Sequence, residues 1–203
     1  MKLYISPQSP FARKARVVAR ETGLAARIEE VVAAVSPVKA NAEVSRANPL
    51  MKVPTLVLDD GSSLFDSPVI CEYLDSLHAG RKLFPPAGES RWTALKLQAL
   101  GDGILDAGIL TRYETVLRPK ELQWADWMKG QREKWHAGLD FLERNVATLA
   151  GEPTIGSITA GCVLGWLDFR YGDDDWRPSR PALARWYEAF SARESMRATA
   201  PVA

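Results

Sequence analysis

The sequence has few of the residues that build metal sites and disulfide frameworks. It contains two cysteines and two histidines among 203 residues. Cys71, Cys162, His78 and His136 lie too far apart to form a metal-ligand spacing, so we predict no bound metal. Both cysteines stand in apolar helical contexts, and each is expected to be a small core residue rather than half of a disulfide.

Net charge and long hydrophobic runs are also lacking. The formal net charge is +1, so neither nucleic acid nor an anionic membrane surface is expected as a partner. No apolar run approaches the roughly 20 residues of a membrane span, and the N-terminal apolar segment, which Pro7 interrupts, is too short for a signal peptide. With 46% hydrophobic and 25% charged residues, the composition is ordinary for a globular protein, and we expect a cytoplasmic location.

Residues 1–78 show the alternating strands and helices of a small α/β domain. Ser9 and Pro10 supply the cap and first turn of the first helix. The first strand–helix–strand unit predicts a parallel pair of strands, and the Asp-Asp-Gly turn at Asp59 predicts an antiparallel pair. The predicted order is β-α-β-α-β-β-α, with helices packed on a small mixed sheet. These elements are predicted at residues 2–5, 10–22, 27–32, 36–46, 53–58, 64–65 and 67–77.

The pattern becomes all-helical after a linker-like stretch at residues 79–88. We expect residues 89–203 to form a helical domain whose third predicted segment, apolar around most of its circumference, is the buried centre. The last residues, from Thr199, have little to bury. The helices are predicted at residues 89–117 (as one helix or two), 124–149, 154–170 and 183–190.

A proline opens the strand that begins at Val53. Proline in a strand interior would remove a ladder hydrogen bond, so Pro54 is expected at the first position of the strand. Bonds that precede proline are the ones that adopt the cis form at low cost. A cis bond here would turn the N–H and C=O of Val53 outward, and an extended peptide could pair with that exposed edge.

Five motifs together resemble one known family over essentially the whole chain. They are Ser9-Pro10-Phe11, Asn48-Pro49 with Val53-Pro54-Thr55-Leu56, Asp66-Ser67, Leu83-Phe84-Pro85, and Thr154-Ile155-Gly156 with Leu167-Asp168-Phe169. In this order and spacing they resemble the cytosolic glutathione S-transferases, most closely the bacterial enzymes with serine, or the omega-type enzymes with cysteine, before Pro-Phe. The resemblance implies a thioredoxin-like glutathione-binding domain (residues 1–78), an all-helical domain (residues 89–203) with the hydrophobic-substrate site, and a homodimer.

The resemblance also implies that glutathione binds at Asp66 and Ser67. A helix N-terminus suits the γ-glutamyl carboxylate, Ser67 can add a hydroxyl donor, and Asp66 can pair with the ammonium group. The alternative is that both residues serve only the helix end. The family more often has glutamate before this serine, and the shorter aspartate has less reach.

The rest of the tripeptide is expected along the proline-led strand. The main chain of Val53, presented by Pro54, would pair with the cysteinyl unit of glutathione. Either Lys52 or Lys39 could meet the glycyl carboxylate, although most lysines are simply solvated.

Ser9 is the predicted catalytic residue. The reacting species is a thiolate, whereas a free thiol titrates near pH 8.5. A hydroxyl donor at a helix N-terminus would stabilise the sulfur anion, and lowering its pKa by about two units needs about 2.7 kcal/mol. Ser9 would thus activate a bound nucleophile without being one. Tyr4 is the competing donor, and Ser9 could instead be a helix cap.

The electrophile is expected between the two domains. The candidate wall residues are Leu105, Ile109, Arg112, Tyr113 and Trp166, although such residues more often belong to a core. The family's Ser/Thr-x-x-Asp capping signature reads Thr154 to Ser157 here, and the missing aspartate predicts a cap weaker by about 1 kcal/mol.

The leading functional prediction is a glutathione S-transferase that acts in detoxification, with glutathione as co-substrate and a small hydrophobic electrophile as the second substrate. A glutathione-dependent reductase or peroxidase is an alternative, but the family's reductase-like members carry cysteine where Ser9 stands. A non-catalytic binding or regulatory module on the same fold is the third possibility.

Overall fold

The structure, a computed structural model, describes residues 1–202. The chain divides into two compact units. The first contains Met1–Arg91 together with the segment that begins at Ala192, and the second contains Trp92–Ser191. No helix within residues 1–202 is long and apolar enough to cross a membrane.

The first unit is built on a four-stranded mixed sheet. Its strands are β1 (Lys2–Ile5), β2 (Glu29–Val32), β3 (Thr55–Val57) and β4 (Ser63–Leu64). The strand order is β2-β1-β3-β4. β1 is parallel to β2 and antiparallel to β3, with Tyr4 opposite Thr55, and β3 is antiparallel to β4, with Leu56 opposite Leu64. The predicted mixed sheet of the thioredoxin-like fold is confirmed.

Helices cover both faces of this sheet. They are α1 (Pro10–Glu21), α2 (Ala42–Ala47) and α3 (Ser67–Ser76). Side chains alternate across a strand, so Tyr4 faces one side, where it clusters with Val44 of α2 and with Val53. Leu3 and Ile5 point to the opposite side and are almost fully buried, and α1 packs against α3.

Helix α2 is shorter than predicted. The predicted segment began at Ser36-Pro37, but residues Ser36 and Lys39 form an isolated bridge instead. The helix begins after Asn41, whose side chain accepts hydrogen bonds from the N–H groups of Glu43 and Val44. Asn41 satisfies two free N–H groups and is the stronger start signal, since the hydroxyl of Ser36 accepts from one N–H group, that of Val38 at 3.3 Å.

The linker-like stretch is fastened to α3 by Asp75. This buried carboxylate accepts hydrogen bonds from the N–H groups of Leu83 (2.8 Å) and Phe84 (3.1 Å). The ammonium group of Lys82 donates to the carbonyl of Asp75. These bonds fix the C-terminal half of α3. The N-terminus of α3 follows β4.

The second unit is helical, as predicted. Its helices are α4 (Gly88–Val116, which begins in the first unit), α5 (Ala125–Arg144), α6 (Ile155–Arg170) and α7 (Pro181–Ser191). α6 is the buried centre, because every residue from Ile155 to Leu167 is buried. The two cysteines, Cys71 in α3 and Cys162 in α6, are fully buried, as expected for core residues.

The N-terminal cap of α6 differs from the expected weak one. Thr154 and Ser157 form a complete capping box, in which the Thr154 N–H donates to Ser157 Oγ (2.9 Å) and the Ser157 N–H donates to Thr154 Oγ1 (3.4 Å). Serine replaces aspartate here because its hydroxyl also reaches the N-cap N–H. The predicted loss of about 1 kcal/mol therefore has no structural basis.

The C-terminal segment belongs to the first unit, although the sequence placed it with the helical domain. It contains α8 (Glu194–Arg197), which packs against α1. Arg193 and Ser195 donate to the carboxylate of Glu21, and Arg13 donates to the carbonyl of Met196 (3.0 Å). These long-range polar contacts, invisible to local sequence patterns, fix the segment.

Candidate functional site

Strand pairing brings three sequence motifs to the end of the sheet where β1 and β4 finish and β3 begins (the sheet edge). Because β1 and β3 are antiparallel, the end of β1, which leads to Ser9, lies beside the start of β3, which follows Val53-Pro54. Because β3 and β4 are also antiparallel, the end of β4, which leads to Asp66-Ser67, lies at the same edge. The predicted site residues Ser9, Val53, Pro54, Asp66 and Ser67 are thus brought together by topology.

Ser9 is the N-cap of α1. Its Oγ accepts a hydrogen bond from the N–H of Ala12 (3.2 Å), and Pro10 occupies the first helical position. A hydroxyl group has one donor and two acceptor positions, so this cap uses an acceptor and leaves the O–H hydrogen. Within residues 1–202 the Ser9 hydroxyl donates to no other group. Capping and donation to an added ligand are therefore compatible.

Tyr4, the competing donor, is already engaged. Its hydroxyl donates to Glu43 Oε1 at 3.0 Å, and the residue is 7% exposed. Burial raises the pKa of Tyr4, and the hydrogen bond to Glu43 and its negative charge raise it further. A phenol made less acidic and bonded to a carboxylate is a poor partner for a thiolate.

The edge at Val53 has the predicted conformation. The Val53-Pro54 peptide bond is cis. The N–H and C=O of Val53 make no hydrogen bond to any other residue in the described part of the chain, residues 1–202. These two groups form an unfilled donor–acceptor pair of the kind that an extended peptide can occupy.

Asn48 and Thr55 shape this loop, and the sequence analysis assigned neither a role. Asn48 is 1% exposed, and its amide donates to the carbonyl of Lys52 (3.2 Å) and to Thr55 Oγ1 (3.0 Å). Thr55 Oγ1 donates to the same carbonyl at 2.8 Å. The Asn-Pro dipeptide was a visible signal, but it marks a turn and does not reveal these partners.

Asp66 and Ser67 stand at the start of α3. Asp66 is the N-cap residue, but its exposed carboxylate makes no capping hydrogen bond. Ser67 is 2% exposed, and among residues 1–202 its hydroxyl has no hydrogen-bond partner. The peptide bond between Phe65 and Asp66 is cis, which no sequence signal indicated. The free N–H groups and positive end of α3 make this a suitable place for an anion.

The two lysines differ in position. Lys52 is exposed and directly precedes Val53 at the sheet edge, whereas Lys39 is exposed in the loop between β2 and α2. Neither ammonium group has an ion-pair partner within residues 1–202. No group of three or more His, Cys, Asp or Glu side chains in these residues could hold a metal ion.

The five candidate wall residues of the helical unit fall into two groups. Leu105 and Trp166 are buried, at 0% and 3% exposure, whereas Tyr113 is 39% exposed. Ile109 and Arg112 are half-buried. Leu105 and Trp166 therefore contribute mainly to packing inside this unit, and the other three carry accessible surface.

Two further residues near Arg112 were not identified from the sequence. Arg170 is half-buried, and burial together with the positive charge of Arg112 lowers the pKa of its guanidinium group. The hydroxyl of Tyr171 donates to the carbonyl of Gly108 at 2.8 Å. Arg170 and Tyr171 follow a long apolar run, and no local pattern indicates that α6 brings them to α4.

Comparison with known proteins agrees with this arrangement. Residues 8–77 match the family model described as glutathione S-transferase, N-terminal domain, and residues 125–189 match glutathione S-transferase, C-terminal domain. The chain is also similar to the "Uncharacterized GST-like protein YibF" of Escherichia coli (strain K12). The two are 36% identical over 205 residues, which cover 99% of this chain and 98% of that protein.

Solved structures give the same result. A glutathione transferase family member from Pseudomonas fluorescens Pf-5, with bound glutathione, has a TM-score of 0.98 at 45% identity and covers 100% of this chain and 99% of its own. A second structure of a family member from that source contains S-(propanoic acid)-glutathione, with a TM-score of 0.93, 44% identity and coverage of 100% of both chains.

A third structure is more distant in sequence. The glutathione S-transferase of Methylobacterium radiotolerans JCM 2831, in complex with glutathione sulfonate, has a TM-score of 0.90 at 35% identity and covers 100% of this chain and 95% of its own. The sequence motifs, the fold and these matches lead to one conclusion. This chain belongs to the glutathione S-transferase family.

Proposed function

We propose that this protein is a glutathione transferase that holds glutathione along the Val53 edge and uses Ser9 to stabilise its thiolate. The observation that carries the proposal is the set of polar groups that have no partner among residues 1–202 where β1, β3 and α3 meet. They are the Ser9 O–H, the main chain of Val53, the Asp66 carboxylate and the Ser67 hydroxyl. One related structure contains bound glutathione and another contains S-(propanoic acid)-glutathione, which supports the same ligand here.

Each part of glutathione has a proposed partner. The cysteinyl unit pairs with the N–H and C=O of Val53, as an added strand would. The γ-glutamyl carboxylate meets the N-terminus of α3 and the Ser67 hydroxyl, while Asp66 pairs with the ammonium group. Lys52 is the better-placed partner for the glycyl carboxylate because it adjoins Val53, whereas Lys39 lies in a separate loop.

The proposed chemistry is attack by the bound thiolate. The Ser9 hydroxyl donates to the sulfur, and the N-terminus of α1 adds a favourable partial charge. The sulfur forms a bond to the electrophilic carbon, and the leaving group departs with its electron pair. Tyr4 has no direct part in this scheme because its hydroxyl is held by Glu43. In this proposal, Ile109, Arg112 and Tyr113 of the helical unit contact the second substrate. The proposed biological role is detoxification in the cytoplasm.

Calorimetry with glutathione tests the binding site. We expect the dissociation constant of Ser67→Ala to be about tenfold higher than that of the wild type, because one charge-assisted hydrogen bond is lost. Ser63→Ala removes a hydroxyl from neighbouring β4, one that already donates to the carbonyl of Ala47, and should leave the affinity unchanged. Undetectable binding in both the wild type and Ser67→Ala would end the proposal.

The ionisation of bound glutathione tests the role of Ser9. The ultraviolet absorbance of the thiolate, followed against pH, should give a thiol pKa about two units higher in Ser9→Ala than in the wild type. Ser9→Cys offers the residue found in the reductase-like members of the family. An unchanged thiol pKa in Ser9→Ala would remove Ser9 from the mechanism while leaving glutathione binding intact.

The proposed active form is a homodimer. Leu50 and Met51 are 59% and 39% exposed, and Met51 has a φ of 54°, a left-handed conformation that costs energy for a residue other than glycine. A strained loop that presents apolar side chains is typical of a contact surface. Sedimentation of the wild type should give a dimer, and Leu50→Glu with Met51→Glu should give a monomer.

A further inference from the structure

A cavity of about 310 Å³ lies between the C-terminal end of α1 and the C-terminal segment. Its lining residues all belong to the first unit and are Arg20, Glu21, Arg193, Glu194 and Ser195. This volume is at the lower end of the range in which proteins bind small molecules. Four of the five side chains are charged, so the cavity suits a small polar ligand.

Two of these charges neutralise each other. The carboxylate of Glu21 accepts hydrogen bonds from Nε of Arg193 at 3.0 Å and from Nη2 of Arg193 at 2.8 Å. The hydroxyl of Ser195 also donates to Glu21. A hydroxyl group has one donor and two acceptor positions, so Ser195 Oγ has used its hydrogen and can still accept. The Glu21–Arg193 pair therefore leaves no net charge for a ligand.

The other two charges line the same cavity without forming an ion pair. Arg20 is half-buried, and its Nε is buried without a hydrogen-bond acceptor. Among residues 1–202, no hydrogen bond or ion pair engages the guanidinium group of Arg20 or the exposed carboxylate of Glu194. A buried N–H group without an acceptor is unfavourable. We therefore expect Arg20 to bind an acceptor from outside the chain.

The sign of the charges in the cavity restricts the class of ligand. A simple anion would meet Arg20 but would also face the carboxylates of Glu194 and Glu21. A simple cation would meet Glu194 but would face the guanidinium groups of Arg20 and Arg193. A molecule that carries one charge of each sign avoids both repulsions, because each of its charges can lie beside the opposite charge of the cavity.

We propose that this cavity binds a small zwitterion, namely a free amino acid, whose carboxylate pairs with Arg20 and whose ammonium group pairs with Glu194. The guanidinium group offers two parallel N–H donors to two carboxylate oxygens. The ammonium group has three donors, and Ser195 Oγ is a second acceptor beside Glu194. The cavity lies about 16 Å along α1 from Ser9, so the inference goes beyond the proposed transferase function and does not depend on it.

Calorimetry with single L-amino acids tests this site. Each common L-amino acid is titrated into the full chain, and we expect at least one to bind with a dissociation constant below about 1 mM. Arg20→Gln and Glu194→Gln should each raise that constant at least about tenfold, because each removes one of the two ion pairs. Arg185→Gln and Glu188→Gln, at exposed positions of α7, remove the same charges and should leave the affinity unchanged.

Two derivatives of the amino acid that binds separate a zwitterion site from a site for a single charge. The N-acetyl derivative keeps the carboxylate without the ammonium group, and the amide derivative keeps the ammonium group without the carboxylate. Both should bind at least about tenfold more weakly than the free amino acid. An N-acetyl derivative that binds equally well would indicate an anion site, and an equally tight amide would indicate a cation site. Either result overturns the proposal.

Ser67→Ala shows where the amino acid binds. The γ-glutamyl end of glutathione is itself a zwitterion, so an amino acid could bind beside Asp66 and Ser67 instead of in this cavity. We expect the amino-acid affinity of Ser67→Ala to equal that of the wild type. A loss in Ser67→Ala together with no loss in Arg20→Gln would assign the amino acid to the sheet edge and overturn the proposal.

The variants are expected to fold, because neither Arg20 nor Glu194 has a side-chain partner among residues 1–202 to lose. Urea unfolding checks this, and Arg20→Lys, which keeps the charge without the guanidinium fork, should retain part of the affinity. The proposal is overturned if no amino acid binds to the wild type, or if the affinity is the same in the wild type, Arg20→Gln and Glu194→Gln. Glutathione binding is measured separately, so the transferase proposal would stand in either case.

Discussion

Polar groups at the sheet edge of the first unit lack hydrogen-bond partners among residues 1–202, whereas polar groups between α5 and α7 of the second unit bind each other. At the sheet edge, Ser9, Val53 and Ser67 keep hydrogen-bonding groups that no described residue fills. Between α5 and α7, Arg180 binds Asp140 and the carbonyl of His136. Groups that satisfy each other stabilise a fold, whereas groups that are positioned but left without partners are available to a ligand.

This comparison also identifies the exceptions in each unit. In the first unit, Asn48 and Glu21 are paired: Asn48 holds the loop before Val53, and Glu21 holds the C-terminal segment. In the second unit, Arg112 has no hydrogen-bond or ion-pair partner among residues 1–202, unlike Arg180 and Arg132. Each unit therefore contains both paired and unpaired polar groups. Variants of the paired groups test folding, and variants of the unpaired groups test ligand binding.

The largest stability effect is expected at Arg180. Its side chain is 6% exposed, pairs with Asp140, and donates to the carbonyls of His136 and Trp176. Arg180→Met should lower the free energy of unfolding by about 3 kcal/mol, since it leaves these acceptors without donors. Urea denaturation measures this loss, with Arg185→Met as the exposed control. A loss below about 1 kcal/mol would mean that the face is not a stabilising network.

Asn48 tests whether a residue that supports the site affects both the free energy of unfolding and the affinity for glutathione. Asn48→Ala removes three side-chain hydrogen bonds, two donated by the amide and one accepted from the N–H of Leu50, and should lower the free energy of unfolding by about 2 kcal/mol. Because those bonds hold the loop before Val53, glutathione affinity should also fall. Asn145→Ala removes an amide from the helical unit, where its side chain donates to the carbonyl of Phe141, and should leave glutathione affinity unchanged. Unaltered affinity in Asn48→Ala would separate the loop from the site.

Glu21 gives a pH-dependent effect of about 1 kcal/mol. Burial by itself raises its pKa, but hydrogen bonds from Arg193 and Ser195 and the charge of Arg193 lower the pKa below its usual value. A depressed pKa contributes stability above the usual carboxyl pKa, and this contribution is lost as pH falls through the folded-state pKa.

Glu21→Gln should therefore be less stable than the wild type at pH 7, and the difference should shrink in acid. Thermal unfolding over a series of pH values down to about 3 measures it. Glu188→Gln, at an exposed glutamate of α7, is the control. A difference that is constant with pH would show that the Glu21 charge does not hold the C-terminal segment to α1.

The smallest effect is expected at Tyr4. Tyr4→Phe removes one hydrogen bond to the exposed Glu43, so the loss of stability should be about 0.5–1 kcal/mol. The thiol pKa of bound glutathione should not change, in contrast to Ser9→Ala. Thiolate absorbance against pH provides the measurement, and an increase in the thiol pKa in Tyr4→Phe would restore Tyr4 as the donor.

Local patterns were sufficient to predict most elements of the fold. The strand–helix order, the capped start of α1 and the proline at the head of β3 follow from residue preferences within a few positions. Two local predictions were wrong for an equally local reason. Asn41 outcompeted Ser36-Pro37 as the start of α2, and Ser157 completed a cap that had seemed to need aspartate.

Contacts between distant segments were not predictable in the same way. Glu21 binds Arg193 and Ser195, and the C-terminal segment joins the first unit. A single sequence contains no signal that tells which distant group will form a hydrogen bond with a given polar side chain. Such pairs depend on how helices and strands pack.

By itself, the sequence determined which residues cap, turn or pair locally, because short-range sterics and hydrogen bonding decide those choices. The tertiary structure decided which polar groups form hydrogen bonds within the protein and which are left for a ligand. The pairing of β1, β3 and β4 gathered Ser9, Val53 and Ser67 at one edge, and the packing of α6 on α4 used the Tyr171 hydroxyl in a hydrogen bond to the carbonyl of Gly108. A charge or hydroxyl becomes available to a ligand when packing positions it and provides no partner.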